Sequence, residues 1–477
     1  MRTLIALAAI GLLAVHGHAG EKTLVWPQFR GPNGSGVAEN QKPPIEFGPD
    51  KNVKWKVKAP SGYSSPIVVG ELLVLTAFAD GKLFTIAYQR SDGKEVWRAE
   101  APAKKLEMFH KTESSPAAST SVTDGKHIVS YFGSCGLVCY DLTGKELWKF
   151  EMPIATMFGN FGSGVSPIIA DGKVILQRDV AKDAKIMAID LTSGSLAWEK
   201  PRLSLTSYGT PIVWDTPAGK QIVTTGHGQM IAYDLKNGAE KWSVGGMPAG
   251  CCNSPVLADG TIYFAGWSPG QDKDFKMPSF DDLLKLTGQE KVGFFTKETY
   301  DKGPMKGFFE HHDLNGDGKI TRDEWATMLK FMNEGKSGAF AVKAGGKGEI
   351  GKSHVLWKAT KGVPHVTTAI VYRGQLVMVK DGGIVTAYDT KTGDQVYMER
   401  AVAEGPYYAS PVAANGHIYF TSLADGVVTV LKAGGKTPEV AATNPKLGER
   451  VPATPAIADD TIYIRTAGHL YAFAERR

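Results

Sequence analysis

The sequence is poor in cysteine, in charge of one sign and in long apolar runs. Four cysteines in 477 residues exclude a small scaffold held by disulfides in place of a core. The net charge is only +5, and no basic stripe with interleaved aromatic residues occurs, so nucleic acid is not an expected partner. Beyond the first residues no apolar run reaches the ~18 residues of a membrane helix, so no transmembrane span is expected. Core material is plentiful: 43% of residues are hydrophobic, which excludes disorder as the main state. Length alone suggests roughly three domains at about 150 residues each, a prior that large β folds routinely break.

The N-terminus reads as a targeting segment. Arg2 gives a short positive start, Leu4 to Val15 is a run of 12 apolar residues, and Gly17-His18-Ala19 offers a small-x-small cleavage site. The run is too short to span a bilayer. Residues 1–19 are therefore assigned to a secretory signal peptide, and the protein is expected to be exported, periplasmic or secreted. The first cysteine is Cys135, so no lipid anchor on an N-terminal cysteine is expected.

An internal repeat organises the rest. Ser/Thr-Pro followed by an apolar strand recurs at Pro66, Pro116, Pro167, Pro211, Pro255, Pro411 and Pro455, and a degenerate copy lies at Thr368-Ala369-Ile370-Val371. Tight-turn pairs follow: Asp124-Gly125, Asp171-Gly172, Asp259-Gly260 and Asn415-Gly416. Asp-Gly and Asn-Gly suit a type I′ hairpin, whose two central positions need positive φ. The sharpest part of each copy is Ala-x-Asp-x-x-Ser/Asn/Thr-Gly-x-x-x-Trp/Tyr, as in Ala188 to Trp198, Ala232 to Trp242 and Ala387 to Tyr397. The small residue lets sheets approach, the glycine takes a left-handed turn position, and the large flat indole suits docking between sheets.

This pattern resembles the tryptophan-docking motif of the PQQ-repeat (pyrroloquinoline quinone-like) β-propellers, among them the quinoprotein alcohol dehydrogenases and the assembly lipoprotein BamB. Trp26-Pro27-Gln28-Phe29-Arg30-Gly31-Pro32 is also similar to the start of secreted bacterial members. The resemblance implies an all-β fold, a radial array of four-stranded antiparallel blades. Outer-strand residues Trp97, Trp148, Trp198, Trp242, Trp357 and Tyr397, with a seventh strand near Val440, leave the copy after Pro455 without its outer strand. Val53-Lys54-Trp55-Lys56-Val57 is a spare strand that completes eight blades. The expected organisation is an N-terminal extension over 20–52, blades over 53–270 and 351–477, and an insertion over 271–350.

The insertion breaks the β pattern. Asp281 to Leu284 and Trp325 to Met332 read as helical, and Asp313 to Glu324 between them matches the EF-hand loop. Ca²⁺ needs six to eight oxygens at flexible distances. Asp313, Asn315 and Asp317 are candidate side-chain ligands, Lys319 a backbone carbonyl ligand, Thr321 a direct or water-bridged ligand and Glu324 a bidentate one. Gly318 permits the sharp turn. Ile320 is expected to pair with a partner loop around Phe294 to Glu298, which lacks early carboxylates. His311-His312 reads as a solvated pair.

Cys135 and Cys139 are too far apart along a strand for a disulfide, and Cys139 sits at the small position of the docking motif, as a packing residue. Cys251-Cys252 precedes an inner strand. Quinoprotein alcohol dehydrogenases carry a vicinal disulfide over their quinone, so the resemblance makes Cys251 and Cys252 candidate PQQ contacts. No residue matches those enzymes' catalytic Asp or central Ca²⁺ site, and no catalytic residue is assigned. The residues just before the inner strands, Tyr63, Glu113, Asn160, Tyr208, Cys252, His365, Tyr408 and Arg450, are expected to ring the channel mouth, where a small-molecule ligand is conceivable. Met108, Phe109 and His110 are candidates to lid it. The reading is an exported calcium-binding propeller in a binding or scaffold role, with an envelope or extracellular protein as partner. The alternatives are a PQQ-dependent alcohol dehydrogenase and a BamB-like envelope assembly factor.

Overall fold

A computed structural model describes residues 26–157, 161–204, 206–268, 277–313 and 317–475. The expected signal peptide, 1–19, lies outside the described residues. Eight sheets are arranged as the blades of a propeller, each built on four antiparallel strands; seven run in sequence order and the eighth borrows its outer strand from the N-terminal part of the chain. Blade three is representative, with strands Ile168–Ala170, Lys173–Arg178, Lys185–Asp190 and Leu196–Pro201. Its second strand is buried almost throughout, whereas the outermost is exposed except at Trp198. Strands covered on both faces read as near-continuous apolar runs, and outer strands keep charge on their open side.

The expected hairpins form at Asp171-Gly172, Asp259-Gly260 and Asn415-Gly416, where both residues have positive φ. Asp124-Gly125 differs. Gly125 alone has positive φ, and the Asp124 carboxylate accepts from the N–H groups of Lys126 and His127. The chain turns over four residues between the paired Thr123 and Ile128, against two between Ala170 and Lys173.

The ring closes as the strand count requires. Val53–Lys58 pairs antiparallel with His469–Phe473 and is the outer strand of blade eight. Docking between blades follows one geometry. The indole N–H of Trp97 donates to Leu142 O of the next blade at 3.0 Å, Trp148 to Leu191 O at 2.8 Å, Trp198 to Leu235 O at 3.2 Å, and Trp357 to Thr390 O at 2.9 Å. Trp55 does the same across the closing seam, to Arg90 O at 2.8 Å. Each indole lies on a glycine of the neighbouring turn. A Cβ at Gly194 would stand 2.7 Å from Trp148, so a larger residue there forces the blades apart.

Two placements differ from the sequence reading. Blade two begins at Val122–Thr123, not at Pro116, because the link from blade one runs on as a loop over the top of the ring. Blade five consists of Val256–Ala258, Thr261–Gly266, Gly338–Lys343 and Val355–Ala359. The expected 271–350 insertion therefore contains a blade strand, buried from Gly338 to Val342, and the excursion runs from Gly266 to Gly338. It leaves between the second and third strands. In an antiparallel meander that turn lies on the same face as the starts of the inner strands, so the insertion stands on the mouth side of the propeller.

Candidate functional site

A cavity of about 420 Å³ occupies the propeller axis. Around it runs a ring of hydroxyls, one per blade, at the residues that open the inner strands; all but Ser254 line the cavity. Ser65 N–H donates to Thr120 Oγ1 at 2.9 Å, Thr120 N–H to Ser166 Oγ at 3.0 Å, Ser166 N–H to Thr210 Oγ1 at 3.3 Å, and Thr210 N–H to Ser254 Oγ at 2.9 Å. The series continues from Ser254 to Thr368, Ser410 and Thr454 at 2.9–3.0 Å. Each blade from the second to the eighth thus satisfies a backbone donor of the one before it. The sequence signal was the Ser or Thr before each repeated Pro. The hydroxyl, not the Pro, makes the contact, and in blade two that hydroxyl is Thr120 rather than Ser115.

The floor comes from the N-terminal extension. Trp26 O accepts from Val68 N–H of blade one, Pro27 O from Thr123 N–H of blade two, and Gly36 O from Ala413 N–H of blade seven. Phe29 of this segment lines the cavity. Arg30, fully buried, reaches Thr368 O and Ala369 O at 2.9 Å each. Burial pulls its pKa down to about 9, so it stays charged at neutral pH and staples the floor to blade six.

The mouth is spanned by the link between blades one and two, residues 101–121. Tyr63 and Arg450 both donate to Thr112 O, at 3.2 and 2.7 Å. Tyr408 donates to Glu113 Oε2 at 2.5 Å, and Arg450 lies 3.8 Å from the same oxygen. The Tyr408 hydroxyl, aided by Arg450, holds the Glu113 carboxyl below its usual range. Elsewhere along the strap His110 stacks on Phe161 in the link into blade three, and Phe109 meets Phe78 of blade one edge-on. The strap therefore crosses from blades two and three to blades seven and eight. Of the expected mouth residues, Tyr63, Glu113, Tyr208, Cys252 and Tyr408 line the cavity. His365 instead pairs with Asp381 at 3.1 Å and packs against Trp267. Asn160 lies outside the described residues.

The four cysteines are free thiols. Cys252 is in the cavity wall, whereas Cys251 belongs to the apolar core shared by blades four and five. Burial pushes the Cys251 thiol up to about 12 and Cys252 to about 11, so neither is a ready thiolate. The pair does not face the cavity together, as a vicinal disulfide over a quinone would. Cys139 is fully buried opposite Trp148, a packing residue.

In the insertion, four helices pack on one small core: α1 (Phe280–Thr287), α2 (Lys297–Tyr300), α3 (Phe309–His312) and α4 (Arg322–Glu334). Ser279 caps α1, accepting from Asp282 N–H at 3.1 Å. Phe295 and Ile320 join the two inter-helix loops by a pair of backbone hydrogen bonds, at 3.0 and 2.8 Å. His312 is not solvated. It is 1% exposed, bonds the Tyr300 hydroxyl and packs against Trp325, so it belongs to this core.

The loop's first acid, Asp313, is also 1% exposed. Its Oδ2 accepts from Gly318 N–H at 3.0 Å, while Oδ1 is buried without a hydrogen-bond partner. Lys182, from the turn between the second and third strands of blade three, approaches Oδ2 to 3.8 Å. Asp317 and Lys319 are exposed. Glu324 Oε2 accepts from both N–H and Oγ1 of Thr321 at 2.8 Å, which caps α4. Asn315 lies outside the described residues. Among the described residues no three His, Cys, Asp or Glu side chains converge as a metal cluster.

Fold and cavity define the class: an eight-bladed propeller whose axial chamber is floored by its own N-terminal segment and strapped at the mouth. The family described as outer membrane protein assembly factor BamB matches residues 84–245, 187–268 and 350–476, more than half of the chain, and the chain belongs to that PQQ-like repeat family. None of the curated proteins compared matches it. Among solved structures, BamB from Moraxella catarrhalis is 12% identical, with a TM-score of 0.54 over 88% of this chain and 97% of that one. The quinohemoprotein alcohol dehydrogenase ADHIIG from Pseudomonas putida HK5 is 12% identical, with a TM-score of 0.53 over 94% and 80%. The computationally designed Ika8 protein is 11% identical, with a TM-score of 0.55 over 89% and 100%. At such identities the likeness is one of fold. No helix among the described residues is long and apolar enough to cross a membrane.

Proposed function

We propose that this chain is an exported calcium-binding propeller in a binding or scaffold role, with an EF-hand in blade five. The observation that carries the reading is the buried, unpartnered Oδ1 of Asp313, beside the Gly318 contact and the Phe295–Ile320 bridge. A buried carboxylate oxygen without a donor is costly, and a hard cation satisfies it. Asp313, Asn315, Asp317, the Lys319 carbonyl, Thr321 and Glu324 form an all-oxygen donor set, which suits Ca²⁺ over softer metals. The ion would draw the carboxylates of this loop together and fix the insertion on the mouth face. The family description, outer membrane protein assembly factor, favours an envelope protein as what the scaffold holds.

Calorimetry with CaCl₂ tests the metal. Binding is expected at about 10⁻⁴–10⁻³ M, the range of exported modules, and Glu324→Gln should weaken it at least tenfold. Equal heats from both proteins would reject the ligand assignment. Cys252 in the cavity wall favours a second reading, a PQQ-dependent dehydrogenase. With Cys251 turned into the core, the residues fit that cofactor poorly and no step through it follows. An absorbance titration with PQQ decides: stoichiometric uptake lost in Cys252→Ala would replace the scaffold reading.

A further inference from the structure

The strap carries a second acid that spanning the mouth does not require. Glu107 is 2% exposed, beneath the strap. Its Oε2 accepts from Ser163 N–H at 2.9 Å and Ser163 Oγ at 2.8 Å, and its own N–H donates to Ser134 Oγ at 3.0 Å. Its other oxygen, Oε1, is buried without a partner. The pocket is shaped to admit the carboxyl. A Cβ at Gly133 would stand 2.2 Å from Oε2 and 2.1 Å from Ser163 Oγ.

The groups around it are few. Blade two presents Tyr131 and the Cys135 thiol, and blade three presents Arg178 from the end of its second strand. Tyr208 faces it from the link into blade four. The Arg178 guanidinium donates to Pro153 O at 2.6 Å, and its charge is the weakest of the influences on the Glu107 carboxyl. The strap's own charged or titratable residues, Lys104, Lys105, His110, Lys111 and Glu113, lie along its exposed side or at its far anchor. Burial, only partly offset by Ser163 and Arg178, pushes the Glu107 carboxyl up to about 7.

We propose that residues 101–116 form a pH-sensitive latch over the axial chamber, closed while Glu107 is protonated and released towards solvent when Glu107 ionises. The second anchor, Glu113 on Tyr408 and Arg450, is a surface contact and gives way once the first is lost. The sign follows from linkage. A carboxyl with a higher pKa closed than open holds its proton more tightly when closed. Closure is therefore strongest below the ordinary carboxylate value and weakens as pH rises to the closed-state value of about 7, then stays level. This reading is independent of the metal site, which lies in another blade.

Hydrogen exchange of the full protein, corrected for the intrinsic pH dependence of exchange, measures the latch directly. Protection across residues 104–114 should fall about tenfold between pH 6 and pH 8.5, with the blade strands unchanged. Glu107→Gln should abolish that fall. Ser163→Ala removes a hydrogen bond that favours the carboxylate and should move the fall to higher pH, which keeps the test open if the Gln variant does not fold. Equal protection at both pH values in the wild type, or an equal fall in Glu107→Gln, would overturn the proposal.

Discussion

The seam between blades three and four and the seam between blades four and five use the same residue differently. At the first, Trp198 lies on Gly238 of the next blade and donates across to Leu235 O. At the second, Trp242 donates to Gln221 Oε1 of its own blade at 2.9 Å and meets Trp214 edge-on. The link in blade five has glycines at 345, 346 and 348, but none of them lies against the indole. Its link from third to outer strand instead adds Gly348–Glu349 in parallel to the outer strand of blade four, Glu240–Gly245. Trp242 is fully buried as a result, while Trp198 stays half-buried. A docking residue is thus only half of a motif. Without the receiving glycine the indole turns home, and the chain covers it by other means.

The largest effect expected from this comparison is at the irregular seam. Trp242→Ala should lower unfolding stability by about 3–5 kcal/mol, the cost of emptying a fully buried site, and Trp198→Ala by about 1.5–3 kcal/mol. Urea midpoints of the two variants check the order, and a reversed order would break the comparison. A matched glycine pair sharpens it. Gly238 and Gly348 share a φ of +71°, but a Cβ at Gly238 would stand 2.5 Å from Trp198, whereas at Gly348 it meets nothing within 4 Å. Left-handed strain should cost both alanine variants about 1–2 kcal/mol, and overpacking should add about 1–3 kcal/mol at Gly238 alone. The smallest effect concerns the contact that the insertion makes two blades away. Lys182→Ala removes a half-exposed cation from Asp313, so calcium affinity should rise by no more than about fivefold, read by the same calorimetry.

The repeat makes the propeller legible because each blade restates one pattern, and Trp55 marks the closing strand within the sequence itself. What stayed hidden involves contacts between distant segments. Phe29 and Arg30 look like part of an extension, and only the folded ring shows that they floor the chamber. Glu107 looks like one more acid in a lysine-rich link, because burial is not written in its neighbours. His312 read as solvated since its partner Tyr300 belongs to the other helix pair. The EF-hand-like pattern over 313–324 is local and can be read residue by residue, whereas the approach of Lys182 to Asp313 cannot, because it joins blade three to an insertion in blade five.

The closing strand also sets an order of events. Val53 and Phe473 are paired although they lie more than 400 residues apart. Bringing them together costs chain entropy on the order of 5 kcal/mol, and it cannot begin until the last strand has been made. A chain emerging N-terminus first must hold Val53–Lys58 unpaired while seven blades assemble behind it. During that interval both the strand and the unfinished eighth blade present open edges. A truncation just before His469 would make the interval permanent: seven complete blades, and a ring that never shuts.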